Sequence, residues 1–143
     1  MRTTESSIDI DAPPEKVWAI LMDFDTYPDW NPFITSIKGE QRLGGKLEAY
    51  LDLPDGPGMT FKPTIQVFDE GTELTWLGKL LVKGIFDGRH TLRVEPRDGG
   101  STFVQAEKFT GLLAGLMMRF IGDSTEQGFS EMNNALKERA EAG

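Results

Sequence analysis

Residues 88–109 read GRHTLRVEPRDGGSTFVQAEKF, two alternating runs on either side of Asp98-Gly99, and the way they pair decides the fold. Asp-Gly is a favoured centre for a two-residue hairpin because both positions tolerate positive φ. If Arg97 closes against Gly100, Val94 falls opposite Phe103, Leu92 opposite Gln105, His90 opposite Glu107 and Gly88 opposite Phe109. Side chains alternate between the faces of a strand, so all of these share one face while Arg89 points away from it. The single histidine of the chain thus meets a carboxylate among apolar neighbours. Polar groups on such a face cost free energy unless partnered, which predicts the lining of a pocket and not a dry core.

Upstream of this hairpin, from Ile34 onward, short alternating runs separated by glycine-rich turns predict an antiparallel meander. Gly44-Gly45 divides its first pair, and Leu47, Ala49, Leu51 and Leu53 share one face of the second strand. The stretch Pro54-Asp55-Gly56-Pro57-Gly58 is a loop by composition. A turn at Glu70-Gly71 sets Val67 against Leu74, Ile65 against Trp76 and Phe61 against Leu80, and a further turn near Lys83-Gly84 leads into the His90 hairpin.

The amino-terminal part begins with a strand over residues 4–10, carrying Ile8 and Ile10. A helix starts at Pro13-Pro14, because proline suits a first helical turn and Glu15 complements the positive end of the helix dipole. Val17, Trp18 and Leu21 form its apolar stripe. Asp25 to Trp30 predicts a second short helix, broken at Asn31-Pro32 because a residue before proline avoids helical angles. After Thr110-Gly111 the chain reads as helix to its end, with Gly115, Gly122 and Gly128 as weak points. Thr125, Phe129, Met132 and Leu136 lie on one face, and Glu131, Lys137, Glu138 and Glu141 mostly on the other. That apolar stripe has an evident partner in the apolar face of the sheet.

Composition narrows the functional classes. A chain of 143 residues makes one domain spanning 1–143, able to bury about two thirds of its unfolded surface. The formal charge of −8 argues against nucleic acid, which requires clustered Lys and Arg. With no cysteine there is no disulfide, thiolate metal site or cysteine nucleophile, and one histidine makes a zinc site improbable. No nucleophile elbow, phosphate-binding loop or dinucleotide fingerprint is present, so no cofactor is expected. The opening MRTTESSIDID lacks a signal-peptide core, and Leu112 to Ile121 is too short for a bilayer and contains Arg119. These features predict a cytoplasmic monomer or homodimer without stable membrane insertion.

The order of one strand, two short helices, an antiparallel run and a long final helix resembles the helix-grip fold of the START-like or SRPBCC superfamily. Ile10-Asp11-Ala12-Pro13-Pro14-Glu15-Lys16-Val17-Trp18 is similar to that superfamily's opening motif, and Tyr27-Pro28-Asp29-Trp30-Asn31-Pro32-Phe33 to the loop that follows. Gln105-Ala106-Glu107-Lys108-Phe109-Thr110-Gly111 resembles its last strand, and Phe129 to Leu136 its terminal helix. The likeness is closest to the bacterial polyketide cyclase/dehydrase-like branch. It implies an α+β domain in which a curved antiparallel sheet wraps a long carboxy-terminal helix, with a cavity between them for an apolar or amphipathic small molecule such as a lipid.

The expected lining comprises Trp30, Phe33, Leu51, Ile65, Val67, Leu74, Trp76, His90, Gln105, Glu107, Phe109, Leu113, Met117, Phe120, Phe129, Met132 and Leu136. Leu112, Leu113, Leu116, Met117, Met118 and Phe120 are read either as packing for the start of the helix or, with Pro54–Met59 and Trp30–Phe33, as a gate at the cavity mouth. His90 and Glu107 are either a structural pair that fixes the hairpin or the polar end of a ligand site. Three functions follow: a carrier or sensor of a hydrophobic molecule, a cyclase or dehydratase with His90 and Glu107 as acid and base, and a protein-interaction domain using the outer sheet.

Overall fold

A computed structural model describes residues 2–54, 58–80, 84 and 86–142. Strand β1 (Arg2–Ile10) leads into helix α1 (Pro14–Met22), a 3₁₀ turn at Phe24–Thr26 and the single-turn α2 (Tyr27–Trp30). Strands β2 (Ile34–Gly39), β3 (Leu47–Asp52), β4 (Gly58–Phe61), β5 (Thr64–Asp69), β6 (Glu73–Leu80), β7 (Phe86–Arg97) and β8 (Gly100–Thr110) follow, and helix α3 (Ala114–Glu141) closes the chain. This is the expected helix grip, a curved antiparallel sheet with a long helix against it. Among the described residues no helix is long and apolar enough to cross a membrane.

The β7–β8 hairpin has the predicted register: Arg97 pairs with Gly100, Val94 with Phe103, Leu92 with Gln105, His90 with Glu107 and Gly88 with Phe109. The preceding strands depart from a single meander. They divide into a five-stranded sheet, β1-β8-β7-β6-β5, and a three-stranded sheet, β2-β3-β4. The sheets are stitched at one corner, where Ile65 N–H donates to Gly45 O and Gly44 N–H donates to Ile65 O, both at 2.9 Å. Phe61 therefore pairs with Ala49 of β3 and not with Leu80, whose partner is Phe86. The physical cause is Lys62-Pro63, where a proline without an N–H ends one strand before the next begins. Ile65 does oppose Trp76, but an irregularity after Ile65 moves Val67 opposite Thr75 and Phe68 opposite Leu74.

Helix α3 presents Thr125, Phe129, Met132 and Leu136 to the core, all buried. Burying each of the three large apolar chains stabilises by about 1.5–3 kcal/mol. Gly128, expected as a weak point, is a packing site: a Cβ there would overlap the ring of Phe33. The helix runs unbroken through all three of its glycines.

The end of α3 is tied to the β1–α1 junction. Asp11 N–H donates to Glu141 Oε2 at 2.8 Å, and Lys137 Nζ donates to the same oxygen at 2.6 Å and to Asp9 O at 2.9 Å. The backbone donor first, then Lys137, hold the Glu141 carboxyl below its usual range. A depressed folded-state pKa contributes stability above the unfolded value, and that contribution is lost as the pH falls through the folded value. Glu141→Gln is accordingly expected to cost a little stability at neutral pH and nothing once the carboxyl is protonated, as chemical denaturation at the two pH values would show. An equal difference at both would refute the contact's role.

Candidate functional site

The site is assembled from the inner face of β7 and β8, the facing strands of both sheets and α3. His90 and Glu107 stand directly opposite one another and are only 2% and 8% exposed. His90 Nδ1 lies 3.3 Å from Glu107 Oε1. His90 Nε2 is 2.8 Å from Gln105 Oε1, Gln105 Nε2 donates to Asn133 Oδ1 at 3.0 Å, and Asn133 Nδ2 donates to Ser6 Oγ at 2.8 Å. The imidazole is flanked by two rings, Trp76 at 5.0 Å and Phe129 at 5.3 Å between centroids. The buried imidazole thus has partners on both ring nitrogens, and the network behind it runs from β8 through α3 to β1.

A largely apolar, partly open pocket adjoins this pair. Its walls are Phe33, Ala49, Leu51, Leu53, Met59, Phe61, Pro63, Trp76, Phe109 and Thr125, with Gly78, Gly88, His90 and Glu107 completing them. The cavity volume is about 50 Å³, room for roughly three or four waters. The wider gap between the walls, which includes space open to solvent, is about 670 Å³. A guest larger than a few atoms therefore uses the open side or displaces wall side chains.

Local chemistry explains how several walls are held. The Asn31 side chain accepts from Phe33 N–H and Ile34 N–H, each at 2.9 Å, an Asx turn that aims Phe33 inward from the Asn31-Pro32 break. Phe33 then packs edge-on against Phe129, 5.7 Å between centroids. Gly78 and Gly88 oppose each other on β6 and β7. A Cβ on Gly88 would lie 3.5 Å from Glu107 Oε2 and 3.6 Å from Phe109, and one on Gly78 3.8 Å from Phe61 and Pro63. Both are ordinary contact distances, so the missing side chains leave bare backbone beside the acid.

Of the expected lining, Phe33, Leu51, Trp76, His90, Glu107 and Phe109 meet at this pocket. Ile65, Leu74, Phe129, Met132 and Leu136 lie in the surrounding core, Val67 is half-buried, and Gln105 sits behind His90 as its hydrogen-bond partner. Trp30 instead borders a separate, shallow groove with Lys16, Ile20, Asp29 and Arg139, because α2 turns it toward α1 and α3. Leu112, Leu113 and Leu116 are 85%, 41% and 50% exposed, so they neither pack the start of α3 nor touch the pocket. The side chains of Met117, Met118 and Phe120 lie outside the described residues, as do 55–57 of the proposed gate loop.

Sequence reasoning left out Ala49, Leu53, Met59, Phe61, Pro63, Gly78, Gly88 and Thr125 as lining. Parity already placed Ala49 and Leu53 with Leu51, and a glycine inside a strand marks a place where something approaches the backbone closely. Those two signals point to half of the omissions.

The family model described as polyketide cyclase / dehydrase and lipid transport matches residues 1–141. No match was found among curated proteins. Among solved structures, the Zhui aromatase/cyclase from Streptomyces sp. R1128 is similar at a TM-score of 0.78 and 19% identity, over 98% of this chain and 93% of that one. The di-domain aromatase/cyclase StfQ from the steffimycin biosynthetic pathway gives 0.77 and 14% over 98% of this chain, which spans half of StfQ's length. A Thermus thermophilus protein, TTHA0849, gives 0.76 and 16%, over 99% of this chain and 98% of that one. At these identities the likeness is one of fold.

Proposed function

Because the chain belongs to the polyketide cyclase / dehydrase and lipid transport family, we propose that it binds an apolar or amphipathic small molecule in the pocket beside His90 and Glu107, as a carrier or sensor. The observation that supports this reading most is the mostly apolar, partly open wall carrying one buried acid–imidazole pair. A guest's apolar body lies against Phe33, Phe61, Trp76 and Phe109, while its polar end reaches Glu107. Such an arrangement, few polar groups among many apolar ones, is how small-molecule sites fix orientation. The ring contacts and hydrogen bonds that hold His90 keep the polar end rigid before the guest arrives.

A second reading is supported by the same 3.3 Å contact: an acid and an imidazole side by side, shielded from water, are competent for proton transfer in an aldol cyclisation or a dehydration. The two readings part on turnover. Glu107→Gln and His90→Gln are expected to change the affinity for a fluorescent, largely apolar phenol, 2-naphthol, by about tenfold, the size of one hydrogen bond. Neither they nor the wild type is expected to convert poly-β-ketone substrates. Conversion by the wild type that disappears in both variants would replace carriage by catalysis.

A further inference from the structure

The chain of contacts from Glu107 through His90, Gln105 and Asn133 to Ser6 has a direction. Asn133 Nδ2 donates to Ser6 Oγ, Gln105 Nε2 donates to Asn133 Oδ1, and Gln105 Oε1 faces His90 Nε2 at 2.8 Å. A carbonyl oxygen only accepts, so Nε2 must carry a proton. Which ring nitrogen of a histidine is protonated is set by the partner of the other, and here that partner is fixed from α3. We infer that Gln105 and Asn133 are positioning residues that lock His90 with its proton on Nε2, so that Nδ1 is the ring nitrogen turned toward Glu107 Oε1 at the pocket wall.

This inference rests on the pocket being a ligand site and names the chemistry of the guest's polar end. The described residues lining the pocket other than His90 and Glu107 carry no ionisable side chain. With Nε2 committed to Gln105, what the pair offers a guest is Nδ1 and the Glu107 carboxyl. Both take up a hydrogen bond, so the site suits a guest hydroxyl that gives one, as in an alcohol, phenol or enol.

Because His90 is the only histidine, its ring nitrogens can be read without assignment in a long-range ¹H–¹⁵N spectrum of the free protein. The expected result is a protonated, pyrrole-type Nε2 in the wild type. Gln105→Leu and Asn133→Ala, which remove the acceptor or its anchor, are expected to transfer the proton to Nδ1 and exchange the two nitrogen signatures, while Gln105→Glu, which keeps an acceptor, restores the wild-type pattern. An unprotonated, pyridine-type Nε2 in the wild type would overturn the inference even if the variants failed to fold. So would an unchanged pattern in folded Gln105→Leu and Asn133→Ala. The measurement needs no ligand. A pyrrole-type Nε2 in a protein that binds no 2-naphthol would sink the ligand-site reading alone, and binding with a pyridine-type Nε2 would sink only the positioning role.

Discussion

Replacing Gly88 by leucine is expected to lower affinity for an apolar probe by about a hundredfold or more, close to 3 kcal/mol, without unfolding the protein. The position is a strand residue without the positive φ that would demand glycine. Its Cβ would already stand 3.5 Å from Glu107 Oε2, so the rest of a leucine side chain must enter the space beside the acid. That space is about 50 Å³, which a branched four-carbon side chain fills. Removing a glycine from a strand stabilises by roughly 0.5–1 kcal/mol, and crowding costs about 1–3 kcal/mol, so the net loss of stability is at most about 2.5 kcal/mol. Affinity for the probe and a denaturant midpoint, measured on the same sample, separate the two effects. Undiminished affinity in the leucine variant would place the guest elsewhere.

Two alanine substitutions in the same helix are expected to have opposite signs. At Gly115 an added Cβ meets nothing within 4 Å, and exchanging a helical glycine for alanine there should stabilise by about 1 kcal/mol. At Gly128 the same methyl group runs into the Phe33 ring, which is held by Phe129 on one side and by the Asn31 turn behind it. The propensity gain is the same, but the overpacking is greater, so Gly128→Ala should lose about 1–2 kcal/mol. Phe33 also lines the pocket, so Gly128→Ala should alter probe affinity and Gly115→Ala should not. Equal stabilisation by both, in urea denaturation, would mean that α3 does not clasp the sheet through Phe33.

The His90–Glu107 pairing is legible in the sequence because a two-residue turn transmits register by local geometry alone, so the count from Asp98-Gly99 carries to residue 107 without error. The helix stripe Thr125, Phe129, Met132 and Leu136 is legible for the same reason: period and burial are both local. What joins distant segments is not. Asn133 reaches Gln105 across 28 residues and Ser6 across 127, and no spacing rule links them. The split into two sheets depends on what a proline break does in three dimensions, and Trp30 borders a different hollow from the one expected because its motif identifies a turn without saying toward which neighbour the turn leans. The exposed Leu112, Leu113 and Leu116 show the reverse limit, apolar character that predicts burial where the fold provides no cover.

If a guest sits in the pocket beside His90 and Glu107, filling that pocket must expel it. Native mass spectrometry of the wild type and Gly88→Leu, each mixed with 2-naphthol, tests this directly. The prediction is one probe molecule bound to the wild type and none to the leucine variant. Equal occupancy in the two proteins, or none in either, would contradict it.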